Sequence, residues 1–512
     1  MANPNVKIWF FGGVNEIGGT KILIEDLGYD VCVFLDFGKS FSVEKQYYSY
    51  PNIPRSLDEL IRINATPDAS KMPVLQGLYT QSEITKLSQQ KLLELEKSNQ
   101  FKEEQESNID AIVISHAHSD HYQYISLINR NIPIHISECG YNILKIRKWI
   151  ERPSLTNNLF LLNVHTFKTG QSIHVGSLKI EPVHVDHSIP ASYGFIIHTS
   201  GGTVVYTGDF RFHGHNPFLT YQFHDKILEN EPIDVLLTEA THVTKSILSN
   251  EDEIGRKLQQ AISATERLVI ADFSDTDFDR FRSYYNTAKE LGRSLVVTLR
   301  QSLILGALNI CEGLATPNIL KDETIKILIP KREDPTKPVT GERLSSWQKI
   351  YYRHLGAEVK GSVQSEDLWM PFKEMLAKMG TPPEEKLISH AQMLNKSREY
   401  VLCPSFNTIG DLQQVKPAAG SVYVLSTSEP FDEEREIQFE KLLNWLELYG
   451  IPMLHVHVSG HVQPLDLKTF VVDVNPKRAV PIHTEKSEFF KTLFTGLGIN
   501  VELPRLGSFI EL

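Results

Sequence analysis

Four residues that bind metal ions well fall within six positions, in the run Ile112-Val-Ile-Ser-His116-Ala-His118-Ser-Asp120-His121. An apolar segment leads straight into them. In an extended chain alternate side chains point the same way, so His116, His118 and Asp120 can converge on one spot. His121 then turns in as a helix begins, with Ser119 as its expected N-cap. Three imidazoles and a carboxylate suit zinc, and suit iron or manganese less specifically. No helical HExxH is present, which excludes the zincin arrangement. Such a set points to a bound metal ion.

One cluster of this size does not complete two metal sites, so further donors are sought among the 19 histidines and the strand-end carboxylates. His187 follows the strand-like run ending Val183-His-Val-Asp, and His483 ends Ala479-Val-Pro-Ile. Asp209 ends Val204-Val-Tyr-Thr-Gly, where a carboxylate is well placed to bridge two ions. Taken alone, each is more often a satisfied structural residue than a ligand. Glu16 and Asp36 read as partners of nearby backbone, and His184, His213, His242 and His457 as structural histidines close to the motifs. The cysteines show no CxxC spacing, so a thiolate zinc site is not expected.

Short strand-like runs must position these donors: Lys7–Phe11, Lys21–Glu25, Val31–Asp36 and Ala111–Ser115, then Leu178–Val185, Tyr193–Thr199 and Thr203–Thr207. Turn-forming residues separate many of them, which predicts a mostly antiparallel sheet system with few helices. Residues 41–110 are polar, carry a predicted amphipathic helix over Ser82–Lys97, and read as an insertion between two strands. Further on, strand-like Arg267–Phe273 and Ser294–Leu299 alternate with helix-like Asp277–Leu291 and Gln301–Gly313. That alternation predicts a parallel sheet with flanking helices.

With 512 residues, two domains are expected. Hydrophobic residues at 41% and charged residues at 22% are ordinary for a globular chain. A net charge of −11 argues against a broad polyanion-binding surface while leaving room for a local basic groove or a metal-anchored phosphate. The N-terminal apolar run is too short for a signal peptide and is broken by Gly12 and Gly13; no stretch approaches a membrane span. A cytoplasmic protein without membrane contact is the expectation.

The motifs HxHxDH at 116–121, HSIP at 187–190 and TGDF at 207–210, in that order, are similar to those of the metallo-β-lactamase superfamily. More narrowly, the chain resembles the β-CASP nucleases, the ribonuclease J-like group among them. The opening Phe11-Gly-Gly-Val-Asn-Glu-Ile-Gly-Gly19 resembles that group's start. Leu237-Thr-Glu239-Ala-Thr resembles motif A, Val458-Ser-Gly-His461 motif B, and Pro481-Ile-His483-Thr-Glu485 motif C.

The resemblance implies an α/β fold: a metallo-β-lactamase αββα sandwich with an inserted β-CASP α/β cap. Residues 1–240 and 451–512 would form the sandwich and 241–450 the cap, which explains how His483 rejoins donors far earlier in the chain. It further implies that His116, His118 and His187 hold one zinc, that Asp120, His121 and His483 hold another, and that Asp209 bridges them. Manganese is the expected substitute metal. A metal-bridging hydroxide would hydrolyse phosphodiester bonds of single-stranded RNA, exo or endo, leaving 5′-phosphate and 3′-hydroxyl ends. Asp120, Glu239 and His461 would be catalytic, with His461 contacting the scissile phosphate or protonating the leaving oxygen and Glu239 orienting it. Segments around Ser274, Arg300 and Ser302 resemble those that hold a 5′-terminal phosphate. A homodimer is among the assemblies this reading allows. Alternative readings are a DNA nuclease of the same group, a small-molecule metallohydrolase, and a binding subunit without activity; the retained His483 favours RNA.

Overall fold

The computed structural model describes residues 5–49, 52–80, 83–99, 104–245, 249–311, 314, 317–329, 344–383, 385–404, 412, 415–427 and 433–512. The chain divides into two compact units, Met1–Leu248 with Gly460–Leu512, and Ser249–Ser459. Among the described residues no helix is long and apolar enough to cross a membrane.

The first unit holds two sheets. One has seven strands in the spatial order Phe509–Glu511, Val6–Gly12, Lys21–Asp26, Val31–Leu35, Ala111–Ile114, Ile134–Ser137 and Val164–Phe167. The other has six: Arg478–Ile482, Val235–Glu239, Gly202–Tyr206, Ser192–Thr199, Leu178–Val185 and Ile173–Val175. Their side chains follow the two-residue period of extended chain. Ile197, Val204 and Leu237 face inward and join Ile8, Phe10, Ile22, Val33 and Leu35 of the first sheet in one core. Their neighbours Ile196, Val205 and Leu236 face outward, against Phe223, Phe470 and Phe490 of helices Pro217–Leu228, Pro464–Val474 and Ser487–Thr495. Helix Glu138–Ile150 packs on the first sheet at Ile134–Ser137 and Val164–Phe167. These layers are the αββα sandwich.

The expectation of a mostly antiparallel system is corrected here. Val31–Leu35, Ala111–Ile114, Ile134–Ser137 and Val164–Phe167 pair in parallel, as do Gly202–Tyr206, Val235–Glu239 and Arg478–Ile482. The cause is that long connections return the chain to the same edge. One of them is the 41–110 segment, which joins the parallel neighbours Val31–Leu35 and Ala111–Ile114. Within it the predicted helix occupies Gln89–Ser98, where the Ser88 hydroxyl accepts from Lys91 N. Residues 81–82 lie outside the described set.

In the second unit a seven-stranded sheet runs Leu387–Ser389, Ile325–Ile329, Ser294–Val297, Tyr400–Cys403, Val269–Asp272, Val422–Leu425 and Met453–His455, every neighbouring pair parallel. Strands such as Val269–Asp272 and Val422–Leu425 are buried at every position, as expected for a sheet covered on both faces. Helices Phe278–Glu290 and Leu299–Leu308 stand where the alternation predicts them; residues 312–313 of the predicted Gln301–Gly313 helix lie outside the described set.

Asp272 closes one of these strands in full burial, its carboxylate accepting from the Tyr423 hydroxyl. Burial, with Asp275 nearby, raises its pKa from 3.8 to about 7 despite that hydrogen bond. Between those values the folded chain holds a proton that the unfolded chain has lost, so stability falls as pH rises and levels off above about 7. Asp272→Asn removes this dependence. Its melting temperature relative to the parent should rise between pH 4 and pH 8, by the equivalent of at most roughly 4 kcal/mol. A constant difference across that range, in parallel thermal melts, would show that Asp272 does not titrate as argued.

Candidate metal centre

Every strand that carries a predicted donor presents it just beyond its C-terminal end. Ala111–Ile114 leads to His116, Leu178–Val185 to His187, Gly202–Tyr206 to Asp209, and Arg478–Ile482 to His483. Leu178–Val185 is antiparallel to Ser192–Thr199, which is antiparallel to Gly202–Tyr206, so all the donor strands of the second sheet run in one direction. Their donors therefore emerge on one edge. His121 lies on the short helix Ser119–Tyr122; its N-cap is His118, and Ser119 falls inside the first turn rather than capping it.

The metal-capable donors among the described residues fall into three overlapping groups: the first is His116, His118, His187 and Asp209, the second Asp120, His121 and His483, and the third Asp209, Glu239, His461 and His483. In the first, His118 Nδ1 is 3.1 Å from His116 Nε2 and 3.1 Å from His187 Nε2. In the second, Asp120 Oδ2 is 3.3 Å from His483 Nε2 and 3.9 Å from His121 Nε2. Asp209 Oδ2 is 3.2 Å from His121 Nε2, 3.7 Å from His116 Nε2 and 3.8 Å from both His187 Nε2 and His483 Nε2. Ligand atoms around a tetrahedral zinc lie roughly 3.3 Å apart, given metal–nitrogen bonds of about 2.0–2.1 Å. The spacing fits such an ion. So do two buried atoms in the cluster that have no hydrogen-bond partner, His121 Nε2 and Asp209 Oδ1.

Hydrogen bonds on the far side of each ring fix which nitrogen is free. Gly460 O accepts from His187 Nδ1 at 2.6 Å, and Asp36 Oδ2 from His121 Nδ1 at 2.7 Å. The Ser115 hydroxyl donates to Asp36 Oδ2, so it accepts from His116 Nδ1 at 2.9 Å. The Thr241 hydroxyl donates to Glu239 Oε2, so it accepts from His483 Nδ1, also at 2.9 Å. Each ring is left with an unprotonated Nε2 facing the cluster, the tautomer a metal ligand needs.

Electrostatics agree with this assignment for His116 and His187. Burial, then the neighbouring His121, pushes the His116 pKa well below the ordinary value; burial and His118 do the same to His187, and burial takes His118 to about 4. Burial opposes ionisation of Asp209, but His121, His483 and His461 outweigh it and hold the carboxyl well below its usual range. His121 and His461 go the other way. Burial lowers both, yet Asp209, Asp36 and Asp120 keep His121 well above the ordinary value, and Glu239 and Asp209 hold His461 at about 9.

His461 stands beside this cluster, its Nδ1 3.2 Å from both Glu239 oxygens and 3.7 Å from Asp209 Oδ2. Glu239 is wholly buried and also accepts from Phe210 N and Val462 N. The His242 ring meets that of His461 edge-on at 5.6 Å. Ser274, Arg300 and Ser302 belong to the other unit. There Arg300 Nε lies 3.1 Å from Asp275, and Ser274 Oγ lies 3.1 Å from Thr276 Oγ1. Ser302 is wholly buried, donating to Leu299 O and accepting from Tyr351.

Asp36 is the residue whose importance the sequence underplays. It is fully buried, adopts a left-handed φ of 57°, and holds His121, Ser115 and Tyr206 at once. The signal was its place at the end of Val31–Leu35, the parallel neighbour of the strand that delivers His116. Asp36→Asn presents an amide nitrogen or a single acceptor where His121 Nδ1 needs a carboxylate. It should weaken metal affinity about 10–100-fold, measured by competition with a chelator, while the chain stays folded.

A β-lactamase superfamily domain matches residues 61–271. Ribonuclease J of Sinorhizobium meliloti is 30% identical over 203 residues, covering 38% of this chain and 35% of that protein. Ribonuclease J 1 of Streptococcus pyogenes is 21% identical over 415 residues, 78% of this chain and 62% of that one. Ribonuclease J of Pyrococcus abyssi is 27% identical over 197 residues, 36% and 43%. The chain thus spans less than two thirds of the length of these relatives. A crystal structure of a protein of unknown function from Enterococcus faecalis V583 shares the fold across 99% of this chain and 100% of that one, with a TM-score of 0.68 at 19% identity. The chain is thus similar to the β-lactamase superfamily domain over residues 61–271 and to ribonuclease J proteins over parts of its length.

Proposed function

We propose that this protein is a zinc-dependent ribonuclease that hydrolyses phosphodiester bonds of single-stranded RNA. The observation that carries the reading is the set of overlapping donor groups around Asp209, with His461 and Glu239 among them. His116 Nε2, His118 Nδ1 and His187 Nε2 would hold one ion, and Asp120 Oδ2, His121 Nε2 and His483 Nε2 a second, with Asp209 common to both. Manganese would substitute. When bound, such ions supply a hydroxide nucleophile at neutral pH and neutralise charge on a phosphate oxygen.

The chain's own residues do the rest. Asp36, Ser115, Gly460 O and Thr241 hold the ligand rings in one tautomer. Glu239 fixes His461 through Nδ1 and leaves Nε2 to carry a proton to the departing 3′-oxygen as the phosphorus–oxygen bond breaks. The product ends are then a 5′-phosphate and a 3′-hydroxyl. The same reading gives a 5′-terminal phosphate to Ser274 and Arg300; Ser302, buried with its hydroxyl engaged, supports their surroundings instead. We read the two compact units as the sandwich and the inserted cap, and similarity to ribonuclease J proteins supports RNA over DNA or a small ester.

The test is cleavage of one single-stranded RNA in linear 5′-phosphate, linear 5′-hydroxyl and circular forms, beside the matching DNA, with and without chelator. Chelator-sensitive loss of RNA supports the reading. Mononucleotides from linear RNA alone mean exonuclease action, and nicked circles mean endonuclease action. Intact RNA in every form, from protein shown to hold zinc, would turn the assignment toward a small-molecule substrate.

A further inference from the structure

We infer that Glu16 is a positioning residue for one of the two metal positions, acting through the loop Gly12–Thr20 on Asp120 and His483 together. The inference rests on the two-metal reading above.

The loop touches both ligands. Gly13 O accepts from His483 N at 2.8 Å, Val14 bridges to Thr484, and Asn15 accepts from the Ser487 hydroxyl. At the far end of the loop, Thr20 N donates to Asp120 O at 3.2 Å. Gly18 lies against the Asp120 side chain at a φ of +79°; a Cβ there would stand 2.5 Å from Asp120 Oδ2 and 2.6 Å from its Cβ. The loop's contacts with the donor set thus fall on Asp120 and His483.

Glu16 fastens the loop to itself and to the chain beside it. The side chain is buried and uses both oxygens. Oε1 accepts from Gly13 N at 3.0 Å, the residue whose carbonyl holds His483. Oε2 accepts from the hydroxyls of Ser40 and Ser42, the latter at 2.6 Å. Ser40 follows the 37–39 segment, where Phe37 N and Lys39 N donate to His121 O and Ser119 O. There Gly38 approaches so closely that a Cβ would lie 1.6 Å from Asp120 O. Lys21, fully buried, donates to Gly19 O and brings a cation near the carboxylate. Asp120 is thus gripped from two sides by segments that Glu16 ties together. Removing the carboxylate frees both, and the cost falls on Asp120 and His483. The other position keeps its own supports, Ser115 and Gly460 O.

The experiment titrates demetallated protein with zinc, counting bound ions by native mass spectrometry and measuring each affinity by chelator competition, with cobalt spectra as a second readout. The parent should bind two. Glu16→Ala should keep one at the parent's affinity and bind the other about 10–100-fold more weakly. Glu16→Gln should regain two, because its amide can accept from Gly13 N and donate to the serine hydroxyls. Gly18→Ala, which crowds Asp120 directly, should reproduce the loss and decides the matter if Glu16→Ala does not fold. Two ions at parental affinity in folded Glu16→Ala, or equal weakening of both ions, overturns the inference. A parent that binds no zinc removes the two-metal reading itself.

Discussion

Asp209→Ala should reduce zinc from two equivalents to at most one and lower RNA cleavage by about 1,000-fold or more. Among the described residues, Asp209 Oδ2 is the only carboxylate oxygen within 3.8 Å of ring nitrogens from both ligand sets, and its side chain is 2% exposed. Among these residues nothing else can replace it, since the nearby Asp120 already faces His483. A bound ion stabilises transition-state charge by several kcal/mol. At about 1.4 kcal/mol per tenfold, loss of one ion accounts for the expected fall in rate. The alanine also leaves buried imidazoles without their shared anion, so circular dichroism must show a folded chain before the rate is read. A folded variant that keeps two zinc ions and cleaves within tenfold of the parent contradicts the bridging role.

His461→Ala should lower kcat about 100- to 10,000-fold while leaving zinc content at two and KM nearly unchanged. A positioned proton donor contributes in that range. The separation of effects is what distinguishes His461 from a ligand. Its Nδ1 is committed to Glu239, and it stands outside the two groups of metal donors proposed here. Glu239→Gln tests the same link from the other end. The glutamine cannot accept from His461, Thr241, Phe210 and Val462 as the carboxylate does, and its rate should fall by a smaller factor, again with both ions held. Loss of zinc in His461→Ala would make the histidine a ligand, and an unchanged kcat would remove it from catalysis.

Much of this centre was legible because its donors sit at strand ends, and strands announce themselves by period. His116, His118, Asp120 and His121 follow directly from an apolar run and a two-residue alternation. His187, Asp209 and His483 lacked that local density; what linked them was the order of motifs, and their ends reach one edge through the parallel pairing of Gly202–Tyr206, Val235–Glu239 and Arg478–Ile482 and two antiparallel steps to Leu178–Val185. That pairing was the part misread, since turn residues between short strands suggest hairpins while the connections that make strands parallel are written in no single segment. Asp36, Thr241 and Glu16 were harder still. Each is one acidic or hydroxyl residue in a loop, and its meaning lies in partners 85, 242 and up to 26 positions away. The alternation in the second unit read correctly because near-continuous apolar strands and intervening helices leave few other folds.

The most direct measurement follows RNA cleavage as demetallated protein is titrated with zinc, with bound zinc counted in the same samples. Cleavage should be absent without metal and rise to its maximum as two equivalents fill. Full cleavage by metal-free protein, or two bound zinc ions with every phosphodiester left intact, would contradict the proposed function.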